Sequence, residues 1–529
     1  MSQFEDLNRL LAQGIISRRE FMGRATALGA TAALSSTILS SPSFAAMPKQ
    51  GGHFKIGMGQ GSTTDSLDPA TTLHTGTQIV NHAVYNYLTE VSNTGDLVGE
   101  LAASWEASPD AKVWNMKLQK GVTFHNGKSF GPEDVIASIN HHRGKDSKSA
   151  AKPIVDPITD ISADGTDGVK FTLSGGNADF PFLMSDYHLA ILPSKDGKID
   201  ATGGIGSGAF VLEKFDPGVK ITMKRNPNYW KSGKGHFDSA EILVIADVAA
   251  RTNALTTGAT MAMDRCDLKT VHLLKRNKSI TVTKNTGTQH YTLPMNAGRA
   301  PFDDVHVRLA LKYAINREAL VKTVLRGYGA VGNDHPIGAS QLYFNKDLEQ
   351  RIYDPDKAKF HLKKAGMSSL DVTLSSSDAA FAGAVDTAVL YKEHAAKAGI
   401  NITVNRVPAD GYWSNVWMKD PWSMSYWGGR PTEDWMFSQA YAAGAEWNES
   451  FWNNERFNKL LLEARAELDS AKRREMYGEM QKLVRDDGAS VIPMFASYVG
   501  ALAKNVGHDK MGANWDMDGL RCMERWWLV

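Results

Sequence analysis

The sequence predicts a large α/β protein, and the main observation is an alternation of strand and helix patterns after residue 369. In "SLDVTLSSS", Leu370, Val372 and Leu374 alternate with polar residues as in a half-buried strand. A helical pattern follows over residues 379–399 and ends at a glycine, and "INITVNRV" alternates again. Strands that alternate with helices in this way are typical of a parallel sheet.

The same pattern continues into an aromatic and glycine-rich stretch. Asp410 is the predicted cap of a short helix that runs through Trp417, and "WSMSYW" returns to a strand pattern. Ligands of open α/β sheets bind beyond the carboxyl ends of the strands. The sequence therefore places the next residues, Gly428, Gly429 and Arg430, at a cleft.

Length and charge describe a large neutral protein. The chain has 529 residues, with 59 Lys and Arg against 58 Asp and Glu. Residues 1–46 hold four of these basic and three of these acidic residues, so 55 of each sign remain after that segment. This length predicts two or three domains. A balance of charge gives no electrostatic reason to expect binding to nucleic acid or an anionic membrane.

Residues 1–46 have the order of an export signal. The Arg18–Arg19 pair is followed by Phe21, a weakly apolar run and a small-residue site at Ser43–Ala45. The pair resembles the twin-arginine type, and the run is too short and polar to span a membrane. An amphipathic N-terminal helix is the alternative. With no cysteine after the site to carry a lipid, the sequence predicts a soluble periplasmic protein.

The two cysteines, Cys266 and Cys522, lie far apart in the sequence. The periplasm is oxidising enough for them to pair, but a bond also requires that their Cα atoms lie close together. Two cysteines without a C-x-x-C spacing do not indicate a structural zinc site. Whether they pair is therefore open from the sequence.

Seven of the thirteen tryptophans lie within residues 412–452. Each tryptophan taken alone is best explained as part of the core. As a group they are dense and mixed with Gly, Asn, Asp and Glu, which is typical of the wall of a small-molecule pocket. Trp413, Trp417 and Trp427 are the candidates for ligand contact.

Four further stretches are spread along the mature chain. They are "SLDPATT", "ELAASWEASPDAKVWNMKLQKGVTFHNGKSFGPEDVIASI", "GSGAFVLEKFDPGVKITMKRNPNYW" and "APFDDVHVRLALKYAINREAL". They resemble the successive signatures of the family 5 bacterial extracellular solute-binding proteins, the periplasmic receptors of peptide and nickel ABC importers, and the resemblance follows the family's order over nearly the whole mature chain. Each also has a structural interpretation, such as Pro132 in the first turn of a helix and Asn316 as a helix cap.

This resemblance implies a two-lobed periplasmic-binding-protein fold, type II-like and of cluster C, with an extra domain and a hinged cleft between the lobes. Domain I is expected from residues 48–90, 196–290 and 491–529. Domain II is expected from 91–195 and domain III from 291–490. A ligand is enclosed when the lobes close, because it adds contacts in the closed state.

The function implied is that of a monomeric receptor that delivers a small solute to an ABC permease in the inner membrane. It is not an enzyme and holds no cofactor of its own. The sequence contains no G-x-S-x-G, H-E-x-x-H or P-loop motif, which agrees with this expectation. A receptor for nickel or another metal chelate is the alternative within the family, and a periplasmic enzyme is the alternative of another class. A haem-type or sugar-type ligand, stacked on the tryptophans, is a third possibility.

The resemblance also suggests site residues. Peptide-binding relatives place an aspartate for the peptide amino group where this chain has Gly429, followed by Arg430. The guanidinium suits a ligand carboxylate instead, so an anionic or zwitterionic ligand is expected, peptide-like or opine-like. Asp434 or Glu433 is a candidate replacement anion, and either one is alternatively the partner of Arg430 in a local salt bridge. Trp427 corresponds to a contact residue of nickel-binding relatives.

Three weaker candidates lie elsewhere in the chain. The contact loop of the relatives, which follows "LDP", maps onto His74 and Gln78. Asn296 lies where the chain enters domain III and either faces the cleft or belongs to a turn.

Overall fold

The computed structural model describes residues 48–408, 411–430 and 432–529. The predicted export signal, residues 1–46, and the predicted cap Asp410 lie outside the described residues. In the part of the chain that is described, no helix combines the length and the apolar character needed to cross a membrane.

The largest sheet joins nine strands and mixes parallel with antiparallel pairs. His53–Met58 pairs in parallel with two neighbours, and the other pairs are antiparallel. The spatial order is Phe210–Asp216, Lys220–Arg225, Ser239–Val244, His53–Met58, Ala262–Met263, Ser490–Ala503, Ile280–Pro294 and Ser425–Trp427, with Gly329–Val331 also paired to Ser490–Ala503.

Smaller sheets surround this one. An antiparallel sheet of four strands has the order Ala102–Ala107, Val113–Leu118, Gly168–Leu173 and Ile158–Ala163. The remaining strands form pairs, of which only the first is parallel: Leu370–Ser376 with Ile400–Arg406, Thr89–Val91 with Leu97–Gly99, Ser194–Lys195 with Lys198–Ile199, and Val506–Gly507 with Trp527–Leu528.

The helices connect and cover these strands. A 3₁₀ helix spans Pro69–Thr71. The α-helices are Thr75–Val84, Pro132–His141, Lys152–Val155, Phe180–Leu183, Val248–Thr256, Val271–Leu274, Val305–Tyr313, Arg317–Thr323, Pro355–Lys364, Ala384–Ala396, Tyr412–Asn415, Glu433–Ala440, Glu455–Ala466, Ser470–Asp486, Asp516–Gly519 and Cys522–Arg525.

The α/β pattern predicted after residue 369 is largely present, with one correction. Leu370–Ser376 and Ile400–Arg406 form the predicted parallel pair around the helix Ala384–Ala396. The prediction for "WSMSYW" as a third parallel strand is wrong. Only one parallel bridge, between Ser375 and Ser423, continues that sheet. Ser425–Trp427 instead pairs antiparallel with residues 290–292, because a strand of the large sheet offers it a longer ladder.

Two predicted helix starts are confirmed. Pro132 begins the helix Pro132–His141, and Asp134 in its first turn accepts the backbone N–H of Gly131. Asn316 caps Arg317–Thr323 by accepting the N–H of Ala319 at 2.9 Å. The motifs that resembled the family therefore build the scaffold.

Most of the buried apolar side chains form three large cores. One spans residues 291–496, a second joins residues 54–87 to the strands around 190–262 and to the C-terminal segment 502–526, and a third spans residues 88–191. Cys266 lies in a fourth, smaller core and Cys522 in the second, and both thiols are free. The predicted domain boundaries stay predictions.

Candidate cleft and its charged wall

A cavity of about 500 Å³ lies where the three large cores approach one another. Residues 91–97 and 178–182 form one side, and residues 339–343 with Arg430, Thr432, Glu433 and Arg473 form another. Asn285 and Thr288, from the long strand Ile280–Pro294, and residues 510–514 complete the wall. Its volume falls within the range of about 300–1,000 Å³ that is usual for small-molecule sites.

Arg430 brings a positive charge into this wall. Its Nε donates to Gln439 Oε1, its Nη1 donates to the carbonyl of Gly429 at 3.0 Å, and the guanidinium lies 5.4 Å from the ring centre of Trp427. Among the described residues, no carboxylate lies within 4 Å of it. Burial lowers the pKa of Arg430, yet a guanidinium keeps its charge at neutral pH. Arg430 therefore has N–H groups to offer to an anion.

The local salt bridge considered for Arg430 is not formed. Glu433 accepts the backbone N–H of Tyr343 at 2.7 Å instead. Asp434 accepts from Nε of Arg465 at 3.1 Å and lines a neighbouring cavity of about 400 Å³. Both carboxyl groups lie in the first turn of Glu433–Ala440, whose cap is Thr432, and that turn directs them away from Arg430.

A side chain at position 429 would meet the side-chain hydroxyl of Thr288. A Cβ at this position would lie 2.2 Å from Oγ1 of Thr288 and 3.3 Å from the carbonyl of Asn514. A larger side chain here therefore fits only if Thr288 moves. The glycine lets the 428–430 segment lie against the strand Ile280–Pro294 and brings Arg430 to the cavity.

A test of this packing is the substitution Gly429→Ala. We expect it to lower the free energy of unfolding, or of lobe closure, by about 1–3 kcal/mol, because the methyl group overlaps Thr288 Oγ1. Adding Thr288→Ala removes the overlapping hydroxyl and should restore most of the loss. Thermal unfolding of both variants measures the effect, and a double variant as unstable as the single one would contradict the explanation.

The aromatic candidates pack around one buried carboxyl. Glu449 accepts from Nε1 of Trp417 at 2.7 Å, from Nε1 of Trp427 at 3.0 Å and from Thr292 Oγ1 at 2.7 Å. Burial raises the pKa of Glu449. Trp427 is buried beneath Arg430, whereas Trp413 is 40% exposed. None of these tryptophans lines the 500 Å³ cavity, so Trp427 reaches it only through Arg430.

The three weaker candidates also lie outside the cavity lining. His74 pairs with Asp65 at 2.6 Å. Asn296 accepts the N–H of Gly298, as a turn asparagine does. Gln78 is buried near Tyr187. Burial raises the pKa of Tyr187, while Arg430 and Gln78 act in the opposite direction, so all three side chains lie in one neighbourhood. A role for these residues in binding stays a prediction.

A buried charge pair of the cavity wall, Arg473 with Asp179, was not predicted. Arg473 Nη2 donates to Asp179 Oδ1 at 2.6 Å, and both side chains are 6% exposed. The rings of Tyr343 and Tyr477 stack on each other, and the guanidinium lies 5.0 and 5.4 Å from their respective centres. Asp179 lies within residues 88–191, which supply the third core, and Arg473 lies within residues 291–496, which supply the first, so the pair links these two parts of the chain.

Glu433 is a second titratable group in the wall. Burial, assisted by the negative charge of Asp179, raises its pKa to about 7, against the opposing effects of the Tyr343 N–H and Arg473. Between about pH 4.5 and 7 the folded protein thus binds a proton that the unfolded chain releases. This group makes stability fall as pH rises through that window.

The isosteric substitution Glu433→Gln tests this pH dependence. The glutamine stays neutral at every pH. We therefore expect the melting temperature of the variant minus that of the native protein to be a few degrees larger at pH 8 than at pH 5. The physical reason is that only the native side chain must lose a proton in a buried site as pH rises. That loss lowers the free energy of unfolding of the native protein by roughly 1.4 kcal/mol per pH unit within the window. A difference that is constant with pH in calorimetry would contradict it.

One group of carboxylates has the spacing of a metal site. Among the described residues, Glu90, Glu100 and Glu524 bring oxygens within 4.8 Å of one another. The Lys231 ammonium lies among them, at 2.6, 2.7 and 3.0 Å, and Arg521 also pairs with Glu100. The protein's own cations thus neutralise this cluster.

The comparison with known proteins agrees with this architecture. The family model described as bacterial extracellular solute-binding proteins, family 5 Middle, matches residues 96–449. The chain therefore belongs to the family 5 bacterial extracellular solute-binding proteins. Such proteins bind solutes for transport and are not enzymes.

Individual relatives cover almost the whole length. The dipeptide-binding protein of Escherichia coli K12 is 26% identical over 461 residues, which are 80% of this chain and 85% of that protein. The periplasmic binding protein DppA of Helicobacter pylori, in complex with the peptide STSA, has a TM-score of 0.71 at 24% identity and covers 91% of this chain and 98% of its own. AgaA of A. tumefaciens R10, in complex with agropinic acid, also has a TM-score of 0.71 at 24% identity, with coverages of 90% and 99%.

Proposed function

We propose that this chain is the periplasmic substrate-binding component of an ABC importer, exported by a twin-arginine signal. It encloses a small peptide-like or other carboxylate-bearing solute between two lobes and delivers it to a permease in the inner membrane. Residues 48–290 and 491–529, predicted as domains I and II, form one lobe, and residues 291–490 form the other. The Asp179–Arg473 pair spans the cleft between them.

The observation that carries the ligand class is Arg430. Its charge lies in the wall of the cavity, and among the described residues its partners are an amide oxygen and a backbone carbonyl. A ligand carboxylate gains most in such a place, because a charge-assisted hydrogen bond is stronger where water is excluded. The relatives support this class, since their ligands include peptides and agropinic acid.

The ammonium anchor of a peptide ligand must differ from that of the peptide-binding relatives, because Gly429 supplies no carboxylate. The described residues that line the cavity offer Asp96, Asp179 and Glu433 as acidic groups, and each of these already accepts a hydrogen bond. We therefore expect recognition to depend more on the acid group of the ligand than on its amine.

A thermal-shift screen tests the function and the ligand class together. Its panel holds dipeptides, each paired with its C-terminal amide, glutathione, opines and nickel–histidine. We expect at least one carboxylate to raise the melting temperature by a few degrees at saturation, and its amide to raise it far less. Equal effects of acid and amide would contradict the Arg430 contact, and a response to nickel–histidine alone would replace the proposal with the metal-chelate receptor.

A further inference from the structure

Two histidines meet on the surface of the 291–490 region, away from the cavity. His306 lies in the first turn of the helix Val305–Tyr313, and His361 lies in the helix Pro355–Lys364. Their Nδ1 atoms are 3.2 Å apart, and both rings are only partly buried. Neither residue is used by the proposed function.

The surrounding contacts hold both rings in place. The Asp304 carboxylate accepts the backbone N–H of His306 at 2.7 Å and fixes the start of that helix. The ring of Tyr313 stacks on His361 with an interplanar angle of 8° and a centroid distance of 5.6 Å. The site is therefore built from two packed helices rather than from mobile loops.

The distance between the nitrogens fits two bonds to one metal ion. Imidazole nitrogens bind Zn²⁺ at about 2.0–2.1 Å, and two such bonds separated by an angle of about 103° place the nitrogens about 3.2 Å apart. That angle lies between the octahedral and tetrahedral values. We propose that His306 and His361 form a surface site for a divalent transition-metal ion such as Zn²⁺, Ni²⁺ or Cu²⁺, whose other positions are open to water or to an external ligand.

The protonation state and the neighbouring charges also bear on this site. Arg351 and Lys357 bring positive charge near His361, and an imidazole binds a metal ion only in its neutral form. The same cations oppose a bound metal ion, so the site should be weaker than one with carboxylate ligands. A hydrogen bond between two neutral imidazoles is the competing explanation of the short distance.

Zinc titration separates these explanations. Zinc chloride is titrated into the untagged protein by calorimetry at pH 7.5, with the variants His306→Gln and His361→Gln and the control His272→Gln, which changes an exposed histidine elsewhere. We expect each of the first two variants to weaken zinc binding at least about tenfold and the control to bind as the native protein does. Equal zinc affinity in all four proteins, or no zinc binding by the native protein, would overturn the proposal.

A second measurement needs no variant. X-ray absorption of the native protein loaded with one equivalent of zinc counts its ligands. Two imidazole nitrogens at about 2.0–2.1 Å support the site, whereas fewer than two overturn it. Because the histidines lie outside the cavity, a failure here leaves the solute-binding function untouched.

Discussion

Replacing Arg430 with alanine is expected to weaken ligand binding at least about tenfold while the protein stays folded. Among the described residues the guanidinium forms no ion pair and its hydrogen-bond partners are uncharged, so its charge is available to a carboxylate. Hydrogen bonds to charged groups contribute about 1.5–3 kcal/mol, and tenfold corresponds to about 1.4 kcal/mol. Calorimetry with the ligand found in the thermal-shift screen measures the loss.

Two controls accompany this variant. Arg430→Lys keeps the charge but loses the planar fork, so it should retain part of the affinity. Arg276→Ala removes an exposed arginine far along the chain and should change nothing. If Arg430→Ala binds as tightly as the native protein, Arg430 is not the ligand's anion partner.

Replacing Arg473 with methionine is expected to favour the open form of the protein and to weaken binding by one to two orders of magnitude. The change leaves the Asp179 carboxylate buried without its cation, which costs about 3–5 kcal/mol in the closed form. Opening the lobes returns water to Asp179 and limits the cost. The ligand must then supply the energy of closure, so its apparent affinity falls. Small-angle scattering and calorimetry measure the two effects.

The double variant Arg473→Met with Asp179→Asn distinguishes the ion pair from a direct ligand contact. Removing the unpaired charge should restore most of the closed population and most of the affinity. If the double variant binds as weakly as the single one, Arg473 acts by contacting the ligand. A single variant that scatters and binds as the native protein does would show that the pair does not control closure.

Local patterns were sufficient to predict much of the scaffold. The parallel pair around Ala384–Ala396, the helix start at Pro132 and the cap at Asn316 depend on residues close in sequence, and all of them are present. The strand Ser425–Trp427 was assigned to the wrong partner because its choice depends on a strand more than 130 residues away. Periodicity identifies a strand but does not identify its neighbour.

The candidate site was predicted only in part for the same reason. Arg430 reaches the cavity because its stretch leaves the end of a strand, which the sequence shows. Asp179 and Arg473 are separated by 294 residues, and no local pattern joins them. Glu433 and Asp434 are neighbours of Arg430 in sequence, but helix geometry directs them to Tyr343 and Arg465.

Native mass spectrometry of the protein purified from the periplasm tests the central claim most directly. The measurement compares the native protein with Arg430→Ala, each before and after unfolding and refolding. We predict that the native protein carries an organic acid that refolding removes, and that Arg430→Ala carries much less of it. A bound mass that lacks a carboxylate, or one retained equally by the variant, would contradict the claim.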